Sequence, residues 1–361
     1  MSDIKLVKHQ GKKEELLDLY RVCFGFSMSA ELWDWKYIQN PLSSTDPEII
    51  VAIANGKIVG ARPLLLAEMW LRDEIVKTVQ PCDTMVHPEH RREGIFSQMN
   101  QFALEYAREK DYAFFYNFPN QMSGPGNLKQ GWKIVSVAEH LHQLTNPKRV
   151  ISYKLKNRPL GTVAGFFYDK IIKARPKVTS VSSSLQIKVS DQFTDELKSV
   201  DILSNKSIIN LVRSESYLRW RFDQHPEYSY KYIMVKRGED LCGYAAVSVQ
   251  KRLSGLIYGT IIDYVVKDKD IDCFMVLMNA CLIELDKFKC DLITVCAFTQ
   301  PIFQEKLLKH FGFKSPIKFP YNKVLSKNYF VVRETKEDIL KKIDIYNKEN
   351  WQVTYAYMDT T

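Results

Sequence analysis

No stretch of the 361 residues approaches the ~20 consecutive apolar residues of a bilayer-spanning helix, so no membrane partner is expected. The opening MSDIKLVKHQGKKEE is charged throughout and has no apolar core of the kind a secretory leader needs. The seven cysteines (Cys23, Cys82, Cys242, Cys273, Cys281, Cys290 and Cys296) form no CxxC pair and show no ligand-like spacing. That scatter argues against a disulfide framework or a zinc site, and for reduced, packed thiols with no metal. These absences lead to the expectation of a cytoplasmic protein. Stretches that interleave basic and aromatic residues are missing as well. The net charge of +9 and the pI near 9.0 therefore read as a dispersed lysine surface, with no nucleic-acid partner. Only residues 146–176 concentrate cations with few acids, and that stretch looks like a junction between domains.

What is present is ordinary for a globular chain, 45% hydrophobic and 26% charged, and long enough for two cores. The chain also reads twice. LWDWKYIQNP (32–41) resembles YLRWRFDQHP (217–226), with Trp35 and Trp220 185 residues apart. IANGKIVGA (53–61) resembles VKRGEDLCGYA (235–245), and LKQGWK (128–133) resembles KHFGFK (309–314). Matches in the same order at a nearly constant offset indicate a tandem duplication. Each half predicts a strand, two helices, a hairpin, a further strand, a helix, a buried strand and a short helix ending at glycine. Ser29 is a candidate helix cap, and Asn55-Gly56 is a strong hairpin signal. The expected fold class is α/β: two tandem domains, each a mixed central sheet flanked by helices, the second a degenerate copy.

Residues 87–100, HPEHRREGIFSQMN, carry the densest chemical signal. An apolar strand runs into a basic turn and then an amphipathic helix. The leading N–H groups of that helix have no intrahelical partner, and its dipole adds partial positive charge. Gly94 lets a ligand approach the backbone, and Arg91 and Arg92 supply cations for phosphate oxygens. The turn suits a pyrophosphate, although a plain connection with two surface arginines has the same outline.

Val86-x-Pro88-x-x-Arg91-Arg92-x-Gly94-Ile95 resembles the acetyl-coenzyme A signature of the GCN5-related N-acetyltransferase (GNAT) superfamily, (Gln/Arg)-x-x-Gly-x-(Gly/Ala). The order of elements resembles that fold too. Tandem halves with WKY-x-x-NP and FPN-x-x-S are similar to two-domain members, including the enhanced intracellular survival group. The resemblance implies that backbone amides from Arg92 through Glu93, Gly94, Ile95 and Phe96 to Ser97 hold the pyrophosphate of acetyl-CoA. It also implies that Met85 and Val86 pair with the pantetheine arm where two central strands splay, and that Asn120 and Ser123 contact the coenzyme. Phe96 stands where a small residue is usual and is expected to narrow the loop. The implied layout is a catalytic GNAT domain at 1–150, a linker at 151–184, a degenerate GNAT-like domain at 185–330 and a tail at 331–361 docking near the cleft.

The second half reads DYVVKDKDIDCFMV where the basic turn should be, and its carboxylates would repel a pyrophosphate. That half is left with shape, a cleft wall or the surface of a homo-oligomer. Acetyl transfer needs a neutral amine and a proton for the departing thiolate. The glutamate and tyrosine that serve many members fall here at Gln80 and at Gly126–Asn127. Asp83, His87 and the Thr361 carboxylate, with Asp359 beside it, are the remaining candidates. Trp33, Tyr37 and Tyr357 are expected to line the acceptor site, whereas Trp35 and Trp220, which recur without the turn, read as core. The expected function is N-acetyl transfer from acetyl-CoA to an amine, an amino sugar or small amine being favoured. A non-catalytic acyl-CoA-binding or protein-interaction module, and an aminoacyl or amino-acid transferase on the same tandem fold, are the alternatives.

Overall fold

The computed structural model describes residues 4–359 apart from 12, 44–45, 121–122, 139, most of 157–183, 268–269, 297–301 and 316–327. Most of the expected linker at 151–184 lies outside the described residues, as does Thr361.

The first half runs β1 (Lys5–Lys8), α1 (Lys13–Phe24) and α2 (Ala30–Trp33). The hydroxyl of Ser29 accepts from the Leu32 amide at 3.1 Å and starts α2. This helix ends in one π-turn, Asp34–Ile38. The hairpin β2 (Ile49–Ala54) and β3 (Lys57–Leu71) closes on Asn55 and Gly56, both at positive φ. β4 (Glu74–Pro81) and β5 (Met85–Val86) follow, then α3 (Ile95–Glu109), β6 (Phe114–Asn117), α4 (Gly124–Lys129), β7 (Lys133–Ala138), β8 (His140–Leu144) and α5 (Pro147–Leu155).

The second half repeats the plan. It runs β9 (Leu185–Ser190), a 3-10 segment Asp195–Leu203, β10 (Ile209–Leu211), and α6 (Glu215–Leu218) with its own π-turn, Arg219–Asp223. Next come β11 (Tyr230–Arg237), β12 (Asp240–Lys251), β13 (Ile257–Val266), α7 (Ile271–Asp286), β14 (Leu292–Cys296) and α8 (Ile302–His310). The chain closes with β15 (Asn328–Glu334), α9 (Asp338–Lys342) and β16 (Trp351–Gln352). The result is a mixed α/β molecule with two sheets.

The sheets do not follow the expected boundaries at 150 and 330. One has the order β1-β2-β3-β4-β6-β15-β7, and the other β8-β14-β13-β12-β11-β9. Each half thus donates a strand to the other. β15 inserts antiparallel between β6 and β7, while β8 pairs antiparallel with β14. β6 (FFYN) and β14 (LITVC) are almost wholly buried, and a buried strand needs backbone partners on both edges. The donated strands supply the missing edge. β10 also pairs with the far end of β3, and β16 lies parallel to β10.

The two π-turns meet at the centre. Trp35 Nε1–H donates to the Trp220 carbonyl at 2.7 Å, and Trp220 Nε1–H donates to the Trp35 carbonyl at 2.7 Å. Their indoles stack at 5.0 Å and 15°. Around them one core cluster takes in Met69, Phe114 and Tyr116 from the first half with Trp220, Tyr232, Trp351 and Tyr357 from the second half and tail. The core reading of both tryptophans holds.

Two outcomes follow. Trp35→Phe keeps an apolar ring but strands a buried carbonyl, so it should cost about 1–3 kcal/mol in chemical denaturation. Trp220→Phe should cost a similar amount, and the pair should be non-additive in a double-mutant cycle. On the donated strand β8, burial lowers His140 to about 4 and His142 to about 3. Both values lie below the unfolded value near 6.5, so the unfolded chain binds more protons, and stability should fall as pH drops from about 6.5 towards 4. His140 stacks on Tyr355 at 5.0 Å. His140→Phe keeps that stack and should flatten part of the decline in urea titrations run across this pH range.

Candidate functional site

β4 would run on without interruption but for Cys82, Asp83 and Thr84. β3 pairs Leu64 with Pro81, then Ala61 with Met85, so one extra residue is accommodated opposite Arg62 and Pro63. Asp83 sits in this bulge at φ +41. Period-2 alternation expects Asp83 on the face opposite Gln80, but the extra residue shifts the count and turns it towards the same side.

On that side Asp83 enters a buried charge cluster. Lys36 Nζ, on the π-turn after α2, donates to Asp83 Oδ2 at 2.7 Å and to Asp359 Oδ2 at 2.9 Å. Tyr37 O–H also donates to Asp83 Oδ2, at 2.6 Å. The Lys36 side chain is 5% exposed. Burial alone would strip its proton, but the carboxylates of Asp359 and Asp83 outweigh burial and hold it charged well above the usual lysine range. Burial, reinforced by Asp83, raises the Tyr37 phenol. One ammonium between two carboxylates leaves a net negative charge. A cavity of about 20 Å³ adjoins the cluster, lined by Lys36, Gln80, Tyr116, Arg221, Tyr357 and Asp359 among others. That is room for about one water.

Beyond Val79, β4 and β6 separate. Their parallel pairing is limited to Val79 with Phe115, and the Asn117 side-chain amide spans the gap to the Pro81 carbonyl at 3.1 Å. Met85 is buried and Val86 half-buried, both bonded to the β3 side. The loop then leads to α3 through Arg92 at φ +71 and Gly94 at φ +80. Gly94 is the N-cap and offers no side chain to the helix amides. The first helical bond runs from Gln98 N–H to the Gly94 carbonyl at 3.1 Å. The amides of Ile95, Phe96 and Ser97 therefore have no intrahelical partner. Arg91, Arg92, Glu93, Gly94 and Ser97 are exposed, whereas Ile95 is buried in the core. The Glu93 carboxylate lies 3.2 Å from the His90 ring.

Phe96 does not narrow the loop over its amides. Its ring is turned inward against α4, so close that a Cβ added at Gly126 would lie 2.8 Å from Cε1.

The second half answers each feature with a filled version. Counting back from the matched pairs Gly60–Val86 and Gly243–Val266, Asp263 holds the place of Asp83. It takes a two-pronged ion pair from buried Arg213, 2.8 Å on each oxygen, and a further bond from Thr354. At the start of α7, Asp270 accepts from the Cys273 amide at 2.9 Å and also pairs with Arg237. This helix end carries its own carboxylate. A larger cavity of about 600 Å³ lies in this half, lined by Phe193, Arg219, Asp223, His225, Lys231 and Phe288 among others, and no residue of the loop or bulge borders it.

The remaining expected site residues fall in several places. His87 Nδ1 accepts from the Glu89 amide at 3.4 Å, and among the described residues no hydrogen bond joins it to the Asp83 cluster. Asn120 Oδ1 accepts from the Ser123 amide at 2.9 Å and hydroxyl at 3.2 Å, a local turn at the exposed end of α4. Trp33, expected at the acceptor site, is 1% exposed and packs on Tyr37 at 4.6 Å in the core under α1. Tyr357 is buried, accepts from the Leu211 amide at 2.7 Å and lines the small cavity. Lys36 and Arg62 escaped the sequence reading. A basic residue inside the repeated aromatic helix was the available signal for Lys36.

Residues 3–135 match the acetyltransferase (GNAT) domain family, so the first part of the chain is a GNAT domain. No curated protein matches the chain. The fold is similar to a probable N-acyltransferase from Enterococcus faecalis, at 11% identity and a TM-score of 0.65 over 94% of this chain and 74% of that one. It is also similar to a tandem GNAT protein from the clavulanic acid biosynthesis pathway, at 14% identity and a TM-score of 0.54 over 92% and 99%. A third similarity is to Saccharomyces cerevisiae N-myristoyltransferase with bound myristoyl-CoA, at 12% identity and a TM-score of 0.58 over 92% and 83%. Among the described residues no helix is long and apolar enough to cross a membrane, and no group of side chains is arranged to hold a metal.

Lys36→Met should leave two carboxylates facing each other in a buried site. The expected loss is about 3–5 kcal/mol at neutral pH. Denaturant unfolding of wild type and variant at neutral pH measures that loss.

Proposed function

We propose that this protein is an N-acetyltransferase that moves acetyl from acetyl-CoA to an amine, an amino sugar or small amine being favoured. The observation that carries the reading is one bulge with complementary faces. On one side it leads into the open amides of Ile95, Phe96 and Ser97, and on the other it presents Asp83. The loop amides and Arg91 and Arg92 would hold the pyrophosphate, and the gap between β4 and β6 would take the pantetheine arm.

In the reaction the amine nitrogen attacks the thioester carbonyl carbon, the C–N bond forms and the C–S bond breaks. The proton given up by the amine ends on the departing thiol. Arg221 lines the same cavity and offsets the excess carboxylate of the Lys36–Asp83–Asp359 cluster, so charge alone does not select the acceptor. Lys36 and Tyr37 both bond Asp83 Oδ2, which supports a reading in which Oδ1 takes the ammonium proton.

One observation favours a second reading, a module that binds acyl-CoA without turnover. Gln80, where a glutamate base is usual in these enzymes, cannot take a proton.

Calorimetry with acetyl-CoA, followed by thiol release against a panel of amines, separates the two. Arg92→Glu combined with Gly94→Asp puts carboxylates at the helix terminus and should weaken acetyl-CoA binding at least about 100-fold. Tight binding with no thiol release from any amine supports the second reading. A wild-type chain that does not bind acetyl-CoA removes both.

A further inference from the structure

Arg62 is the most conspicuous unfinished group in the first half. It projects from β3 towards α3 and is 2% exposed. Its Nη1 donates to Thr84 Oγ1 at 3.0 Å, across the bulge. Its Nε and Nη2 are buried and have no hydrogen-bond partner among the described residues. The ring of Phe96 lies over the guanidinium at 5.6 Å. Among the described residues no carboxylate pairs with it. Arg333 on β15 adds to its positive surroundings, and burial, helped by Arg333, pushes the guanidinium down to about 9. A guanidinium left with two open donors in a buried site costs the desolvation of those donors, and a partner rich in oxygen would recover it.

The position of Arg62 says what that partner is. It stands beside Thr84, one residue before the Met85–Val86 strand, and beneath Phe96 in the first turn of α3. A ligand whose phosphates rest on the α3 amides and whose arm enters between β4 and β6 has to pass Arg62. The ring of Phe96 lies there, over the Arg62 guanidinium on one side and against Gly126 of α4 on the other. Glycine at 126 is what permits the contact, because a Cβ there would collide with the ring.

We infer that Arg62 is the receptor for the phosphopantetheine arm of the acyl donor, binding its oxygen atoms through Nε and Nη2, and that Phe96 is the cover that swings aside to admit it. This rests on the acyl-CoA reading above, and it adds a positioning residue that the loop motif does not contain. The shared chemistry is an oxygen acceptor, whether the inner phosphate or an amide carbonyl of the arm.

The test is calorimetry with coenzyme A, 4′-phosphopantetheine, pantetheine and adenosine 3′,5′-bisphosphate, on the wild type, Arg62→Met, Arg62→Lys and Phe96→Leu. Arg62→Met should weaken coenzyme A and 4′-phosphopantetheine by about 10- to 100-fold, in line with loss of charge-assisted hydrogen bonds. It should leave adenosine 3′,5′-bisphosphate within about 2-fold, because that ligand uses only the loop. Arg62→Lys should recover part of the loss, and Phe96→Leu should speed the association of coenzyme A in stopped flow. A loss for pantetheine as large as for 4′-phosphopantetheine assigns the contact to the amide carbonyl, and a smaller one assigns it to the phosphate. Equal weakening of the bisphosphate would mean that Arg62 only braces the bulge, and unchanged coenzyme A binding would remove it from the site. Either result overturns the inference while leaving the acyl-CoA reading intact. Failure of the wild type to bind coenzyme A would overturn that reading itself.

Discussion

Two indoles that each donate to the other's backbone carbonyl impose a local two-fold relation on the molecule. The bonds of Trp35 and Trp220 can both form only when the two helical turns meet in reciprocal orientation. The π-turns make the acceptors available. In an α-helix the amide of Gln39 would bond the Trp35 carbonyl, but here it bonds the Asp34 carbonyl at 2.8 Å. Gln224 and Arg219 repeat the arrangement. The freed carbonyls then face the opposite indole inside a shared core, where an unmade bond would be costly. The same π-turn carries Lys36, so the contact that registers the two halves also sets the cation of the candidate site.

A single bulge organises what lies around that cation. With regular pairing, Asp83 would turn away from Lys36 and the strand would keep β6 as its neighbour. The extra residue places Asp83 on Lys36 on one side and brings Thr84 to Arg62. Cys82 lies between the two groups, buried, with its thiol pushed up by burial and then by Asp359. Two cationic side chains are thus kept apart by a strand defect, one neutralised by two carboxylates and the other left with open donors. Such an asymmetry across one strand suits a ligand that threads from phosphate to thioester.

What was legible in the sequence was mostly local. Ser29 caps its helix, Asn55-Gly56 turns its hairpin, and Gly94 adopts the positive φ that the loop requires. The duplication was visible because aromatic and glycine positions at structural junctions recur at a constant offset. The strand exchange was hidden, since HLHQL and NYFVVRE show a strand pattern but nothing in a strand's own residues names its partner. Alternation misplaced Asp83 because a bulge has no sequence signature strong enough to reset the count. Trp33 and Tyr37 have nearly the same burial, yet only Tyr37 has a hydroxyl that reaches Asp83. Arg62 was missed because one arginine in an apolar strand resembles an edge or surface residue until its burial is known.

The two halves diverge in one consistent direction. At the helix terminus after the bulge, the first half has Gly94 with no capping side chain and the second has Asp270 already on the Cys273 amide. At the bulge, Asp83 is held through one oxygen by a lysine and a tyrosine, while Asp263 is held through both oxygens by an arginine. A guanidinium fork fixes a carboxylate in orientation and charge, whereas an ammonium grips it at a point and leaves the second oxygen available. Internal groups therefore satisfy, in the second half, both features that remain open in the first. Filling those places satisfies the helix end and the bulge from within, and the second half also braces the first: β10 against the end of β3, β15 beside β6, and the tail whose Asp359 reaches Lys36. The open half can carry an exposed loop, a strand defect and a buried guanidinium with two unmade bonds because the closed half and its strands hold the frame around them.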